Sequence, residues 1–214
     1  KNLPLNSRKI LDIGSGPGLF LNLGKDRGWQ VKGIEPSTQA AEYCKETLKL
    51  DIEEVFFDEA SAKNLDGHDV INMGEVLEHL PNPKAILELA YGTLNKDGLI
   101  CLIVPNDFNP FQQILHESLD FKPWWLAPPH HINYFNQKSL TSLVESCGFE
   151  VVHKETTFPI DMFLMMGQDY IDNEDIGRQC HALRKQFEIN LSKSANKELW
   201  RKLYSGFSNS DVGR

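Results

Sequence analysis

Three features of the 214-residue chain predict a doubly wound α/β fold with a mostly parallel sheet. Short apolar runs alternate with helix-period patterns at the spacing of strand, crossover and strand units, which close in a right-handed sense. The run Leu99-Ile100-Cys101-Leu102-Ile103-Val104 is continuously apolar, the pattern of a strand buried on both faces. The first run, Ile10-Leu11-Asp12-Ile13, leads straight into Gly14-Ser15-Gly16-Pro17-Gly18 and then an apolar helix from Leu19. A glycine loop so placed sits at the carboxyl edge of a parallel sheet, where open α/β folds bind ligands.

Each element follows in order. The first helix is expected over Leu19–Asp26, ended by Gly28, and the second strand over Gln30–Ile34. Ser37 is an N-cap for a helix Thr38–Leu50, in which Ala40, Ala41, Cys44 and Leu48 recur at helical spacing. A third strand is read at Glu54–Phe57 and a fourth at Asp69–Met73. Pro81 and Pro83 introduce a helix Lys84–Leu94, and Asn95-Lys96-Asp97-Gly98 turns into strand five, Leu99–Val104. The pattern then changes. Residues 107–129 carry four prolines and the aromatics Phe108, Phe111, Phe121, Trp124 and Trp125, read as a long loop. Those aromatics have two readings, the wall of a substrate pocket or a satellite core under the loop. A helix Gln137–Cys147 and a strand Phe149–Lys154 follow; Phe158–Met166 is an edge strand or a helix packed on the sheet; and Asp175–Leu191 and Asn196–Phe207 form two polar, amphipathic helices.

Composition narrows the function. A formal charge of −8 without a basic stripe argues against a nucleic-acid partner. Cys44, Cys101, Cys147 and Cys180 form no C-x-x-C pair, so they read as reduced thiols of a cytoplasmic protein. No apolar run is long enough to span a membrane, and no signal peptide is visible.

The glycines allow the loop backbone to approach a ligand closely. Their order is G-x-G-x-G, with Leu19 where a dinucleotide fingerprint wants its third small residue. A tight turn without a ligand is the plain alternative. Glu35, twenty-one residues after Gly14 and at the tip of the second strand, favours a cofactor, because a carboxylate there accepts the hydroxyls of a ribose. Glu35 as a residue opening the next helix remains the other reading.

Leu11-Asp12-Ile13-Gly14-Ser15-Gly16-Pro17-Gly18, Gly33-Ile34-Glu35-Pro36-Ser37, the stretch Asp69 to Leu80, Leu94 to Ile100 and Gly148 to Val152 occur in that order. Together they resemble the successive motifs of class I S-adenosylmethionine-dependent methyltransferases, over about residues 10–154. The resemblance implies a Rossmann-like, seven-stranded methyltransferase sheet and S-adenosylmethionine as cofactor, with S-adenosylhomocysteine as product. It implies cofactor contacts from Asp12, Gly14, Ser15, Gly16, Gly18, Glu35, Pro36, Asp58, Ala60, Ser61, Met73, Gly74 and Glu75. It further implies a core over residues 1–155, with a lid or insertion at 107–135, and an extension over 156–214 whose last strand and two helices pack on that core. Family members usually carry helices ahead of the first strand, and the start at Lys1 raises the expectation that such a lid is missing. Parts of the extension, Phe158-Pro159-Ile160-Asp161, Ile176-Gly177-Arg178 and Asp211-Val212-Gly213-Arg214, look like a subgroup linked to surface sugars.

Transfer of a methyl group from a sulfonium is an in-line displacement, in which the protein aligns an unhindered nucleophile and excludes water. A base helps where the acceptor must lose a proton. His79, His130 and His131 have a suitable pKa, and His131 is preferred as base, with Tyr134 positioning the acceptor and His79 a further catalytic candidate. The alternative is that His131 and Tyr134 only bind backbone and orient the lid. Glu75, Glu78 and His79 repeat the E-x-x-E-H order of the O-methyltransferases of ubiquinone biosynthesis, which are reported to use a divalent metal. On a helix these three would share a face. Glu-His is also common in class I members that use no metal, so no metal is expected, with Glu75, Glu78 and His79 as the candidates if one is used. The expected activity is methyl transfer, O-methylation favoured, to a small-molecule or sugar-linked acceptor. A homodimer through the C-terminal helices is the expected assembly. A non-catalytic cofactor-binding module and an NAD(P)-dependent oxidoreductase are the alternatives.

Overall fold

The computed structural model describes residues 8–65, 67–193 and 196–214. The expectation attached to the start of the chain falls on residues 1–7 and so lies outside the described residues. The described chain clusters into two compact units, residues 8–104 with 142–150, and residues 105–141 with 151–214. No described helix is long and apolar enough to cross a membrane.

The first unit is built on five strands, β1 (Lys9–Ile13), β2 (Gln30–Ile34), β3 (Ile52–Glu53), β4 (His68–Gly74) and β5 (Leu94–Ile103), in the order β3-β2-β1-β4-β5 and all parallel. The order reverses direction beside β1, and this is the switch point at which a parallel sheet opens a crevice. Between the strands lie α1 (Leu19–Asp26), α2 (Thr38–Glu46), α3 (Glu59–Ala62) and α4 (Pro83–Thr93). Helix starts follow the expected chemistry. Ser37 caps α2 by accepting the Ala40 N–H, and Asn82 caps α4 by accepting the Ala85 N–H just ahead of Pro83 at the first helical position. Ile10, Leu21, Ala41, Cys44, Leu50 and Ile52 pack as one buried cluster, with Trp29, Val31, Leu48 and Val70 against it. Truncating one of its large members, such as Leu21→Ala, costs ~2–5 kcal/mol.

Three expectations are corrected in this unit. Strand three is Ile52–Glu53, not Glu54–Phe57. Ile52 faces the core and pairs with Gly33, whereas Val55 is 40% and Phe56 73% exposed, and Phe57 is buried without joining the ladder. The sheet has five strands among the described residues, not seven: Phe149–Lys154 forms no ladder. Val152 there is exposed, and the neighbouring Thr157 N–H donates instead to Arg214 O at 2.7 Å. As the last strand in the order, β5 alternates half-buried and exposed side chains rather than burying both faces, and it starts at Leu94, absorbing the expected turn.

The second unit contains α5 (Pro110–Leu119), the first part of α6 (Gln137–Ser146), α7 (Met162–Met165), α8 (Glu174–Ser192) and α9 (Lys197–Asn209). Residues 107–135 are not a bare loop. Asn109 accepts the Phe111 and Gln112 N–H groups while Gln112 Oε1 accepts the Asn109 N–H, a reciprocal cap that starts α5 behind Pro110. The ends of this segment are tied together. The Asp107 N–H donates to Phe135 O at 2.6 Å, and the Phe135 N–H donates to Asp107 Oδ2 at 3.3 Å. The Met-rich stretch resolves as the short helix α7, not as a strand. Phe158 centres the unit's packing, with ring centroids 5.4 Å from Phe187, 5.9 Å from Phe163 and 6.1 Å from Phe207. Asn106 Nδ2 binds the carbonyls of Asp211 and Gly213, and Thr156 Oγ1 donates to Val212 O, so the chain's end is hydrogen-bonded into this unit.

Candidate active site

The glycine loop lies where β1 ends, and its three glycines answer different demands. A Cβ on Gly14 (φ +72°) would stand 2.6 Å from Val76 Cγ2, so this glycine lets the loop after β1 meet the loop after β4. A Cβ on Gly18 (φ +71°) would stand 2.7 Å from both Cys44 Sγ and Leu50 Cδ1, so this one seats α1 against α2. Gly16 (φ +50°) is different: nothing lies within 4 Å of where its Cβ would be. The loop is held open on that side. Gly18 opens α1 with no side-chain cap, which leaves the first-turn N–H groups beside this space.

Glu35 shapes the loop. Its buried carboxylate accepts the Gly16 N–H through Oε2 at 2.7 Å and the Ser37 N–H through Oε1 at 2.8 Å. A carboxylate has about four acceptor positions, so two bonds leave it able to take hydroxyl donors. Pro36 beside it is exposed. Cys44 Sγ donates to Gly16 O at 3.3 Å, which fixes the same peptide from α2. Ser15 is buried.

Asp12, at the middle of the sheet, is 2% exposed and accepts the Asn72 amide N–H through Oδ1 at 2.7 Å. Burial pushes its carboxyl up to about 6 from 3.8; the Asn72 hydrogen bond opposes this, and the charge of Glu35 adds to it. Across the switch point, Met73 is fully buried and Gly74 ends β4. Glu75 follows in the left-handed region (φ +59°), its N–H donating to Ile103 O at 2.8 Å. A non-glycine residue held there stores strain, as residues at ligand clamps do.

Asp58, Ala60 and Ser61 are arranged as a helix cap. Asp58 Oδ1 accepts the N–H groups of Ala60 and Ser61 at 2.9 Å each, and Ser61 Oγ accepts the Asp58 N–H at 2.9 Å. The Ser61 N–H, against slight desolvation and with help from Ala60, holds the exposed Asp58 carboxyl below its usual range. The E-x-x-E-H segment is not the α-helix that would align its acids. Only Leu77–His79 is helical, as a 3₁₀ turn; Glu75 and His79 are exposed, whereas Glu78 is fully buried.

In the second unit His131 and Tyr134 share one anchor. The His131 N–H donates to Ala127 O at 2.9 Å, the Ala127 N–H donates to Tyr134 Oη at 3.2 Å, and the two rings lie 6.4 Å apart. Around them Phe108, 45% exposed and held at φ +57°, meets Trp125 at 5.8 Å and Tyr134 at 6.4 Å. Trp124 packs edge-on to Trp125 at 4.9 Å. The indole N–H of Trp125 is buried without an acceptor among the described residues. Sequence reasoning missed Asn72 and Cys44 as partners of the site, since neither belongs to a glycine or acidic motif. It also missed α5, although Asn109-Pro110-Phe111-Gln112 spells its cap.

A five-stranded parallel sheet carrying an open glycine loop, a carboxylate ending β2 and a buried carboxylate on β1 defines a cofactor-binding α/β protein of the Rossmann-like class. The model of the family described as "Methyltransferase domain" matches residues 2–154, and the chain belongs to that family. Its members of class I use S-adenosylmethionine, in agreement with the motifs above. The chain is similar to the ubiquinone biosynthesis O-methyltransferase of Paraburkholderia xenovorans, 36% identical over 99 residues that make up 44% of this chain and 42% of that protein. With the enzyme of the same name from Stutzerimonas stutzeri it shares 31% identity over 103 residues, 46% of this chain and 44% of that one. The chain therefore spans under half the length of these curated relatives. Among solved structures, an S-adenosylmethionine-dependent methyltransferase from Archaeoglobus fulgidus superposes with a TM-score of 0.56 at 25% identity, covering 72% of this chain and 65% of that chain. YcgJ of Bacillus subtilis, at 15% identity and a TM-score of 0.51 over 81% of this chain and 75% of its own, shares the fold.

Proposed function

We propose that this chain is an S-adenosylmethionine-dependent O-methyltransferase that acts on an uncharged hydroxyl acceptor, a small molecule or a sugar-linked one. The observation that carries the reading is the space over Gly16, flanked by two carboxylates suited to the two ends of the cofactor. Glu35 would take the ribose hydroxyls on its remaining lone pairs, with Pro36 beside it. Asp12 would meet the cationic methionine end, with Gly14, Ser15 and Gly18 shaping the loop and Met73, Gly74 and Glu75 closing the opposite side. Asp58, with Ala60 and Ser61, would receive the adenine, its low-lying carboxylate accepting the amine. The bound cofactor supplies a methyl group activated on a sulfonium.

The acceptor reading rests on the second unit's aromatic group. Residues 105–135 contain a single lysine, Lys122, and no arginine, which disfavours a phosphate or carboxylate ligand there. Exposed Phe108 with Trp125 offers a ring face, and the buried Trp125 N–H has no acceptor among the described residues. His131, half-buried, would take the hydroxyl proton as the methyl group is transferred, with Tyr134 positioning the acceptor oxygen. His79 is the alternative base. Self-association through α8 and α9 is proposed from Leu183, Phe187, Ile189 and Leu199, which are apolar and exposed. The function is tested by transfer of labelled methyl groups from S-adenosylmethionine to a panel of neutral phenols and glycosides. Transfer that is lost in His131→Ala while S-adenosylhomocysteine affinity persists supports it; equal loss of both makes His131 structural.

A further inference from the structure

Asp12 and Asn72 are cross-strand neighbours at the heart of the sheet, in register between β1 and β4. The two are 2% and 7% exposed and are joined by a 2.7 Å hydrogen bond from the amide to the carboxylate. Asn72 shares its face of β4 with Val70 and Gly74, and at 7% exposure it holds a position that is ordinarily apolar. A buried amide carries a desolvation cost that an apolar side chain does not. Its side-chain partner among the described residues is Asp12. Glu35 at the end of β2 is the charge that raises Asp12 further, and Asp12 in turn raises the thiols of Cys44 on α2 and Cys101 on β5; none of these three is a cation.

We infer that Asn72 is a positioning residue for cofactor binding: its amide holds the Asp12 carboxylate fixed as the acceptor for the cationic methionine end of the cofactor. The inference rests on the reading of Asp12 given under Proposed function. Without the amide, Asp12 keeps its burial and the repulsion of Glu35 and loses the hydrogen bond that opposes them, so it holds a proton to higher pH.

The test is calorimetric titration of the full chain with S-adenosylhomocysteine from pH 5.5 to 8, a window in which the ligand's amine stays largely charged. Wild type should lose affinity as pH falls through about 6. Asn72→Leu and Asn72→Ala should bind about twofold more weakly at pH 7 and close to tenfold more weakly at pH 5.5, with the bend in the profile moved up by about one pH unit. Asn72→Ser, which keeps a donor, should recover part of the shift. Melting temperature separates this from a structural role, which would lower stability and leave the bend in place. Either Leu or Ala variant with the wild-type profile, while Asp12→Asn binds poorly, overturns the inference. Wild-type binding by Asp12→Asn across the window would instead remove the reading of Asp12 itself.

Discussion

At the scale of residues, the account makes each glycine and carboxylate answer to a different loss. Gly16→Val should cost some stability, because φ +50° strains a β-branched residue even in open space, and should abolish S-adenosylhomocysteine binding. Gly18→Val should lower the melting temperature further, because at φ +71° its side chain would also strike Cys44 and Leu50. Unchanged affinity in Gly16→Val would mean that the loop is only a turn. Glu35→Ala should weaken binding by ~1.5–3 kcal/mol, the scale of hydrogen bonds to a charged group. Glu35→Gln should fail nearly as badly, since its amide nitrogen would face one of the two N–H donors that the carboxylate now accepts. The raised Asp12 carboxyl gives a sign that can be checked. A folded value of about 6 against 3.8 means that the stability this group contributes is present below about pH 4 and is lost as pH rises through 6. Asp12→Asn should therefore be more stable than wild type at pH 8, by ~1–3 kcal/mol, with the advantage gone near pH 4. Urea denaturation at both values measures it, and a pH-independent difference would contradict the assignment.

At the scale of elements, the legible parts were those whose signal is local. α1 and β2 appear with the expected bounds, and the glycine loop, Glu35 and Ser37 are where the motifs put them, because turn and cap chemistry is written in adjacent residues. Strand identity was less legible, because an apolar run says only that it is buried or extended. Val55, Phe56 and Phe57 read as a strand, yet the ladder to β2 stops at Glu53 and two of the three side chains are exposed. Phe149–Lys154 also reads as a strand, but whether it pairs depends on which backbone is adjacent, which is a tertiary fact. The Asp12–Asn72 contact spans sixty residues and has no local signature. The helix α5 was hidden by the prolines and aromatics around it, although its cap is written in Asn109 and Gln112. Asn109→Ala should cost ~1 kcal/mol or more, since the side chain accepts two N–H groups and donates to Asn106 O. Chemical denaturation reads this directly, and a loss no larger than that of Glu117→Ala on the same helix would deny the cap its role.

At the scale of the molecule, an acidic chain joins a parallel sheet, a methyltransferase family match over residues 2–154 and a second unit rich in aromatics. The family match secures the methyltransferase class, whereas the acceptor role of Phe108, Trp125, His131 and Tyr134 is our proposal. The proposed self-association belongs at this scale too. Leu183→Glu with Leu199→Glu should shift the mass measured by light scattering from dimer to monomer, and a wild-type monomer at high concentration would remove the proposal. The central claim is that the glycine loop, Asp12 and Glu35 form a site for S-adenosylmethionine. Calorimetric titration of this chain with S-adenosylhomocysteine, with NAD as the parallel ligand, tests it most directly. The account predicts saturable one-to-one binding of S-adenosylhomocysteine, lost in Gly16→Val, and no binding of NAD; binding of NAD alone, or S-adenosylhomocysteine binding that survives Gly16→Val, would contradict it.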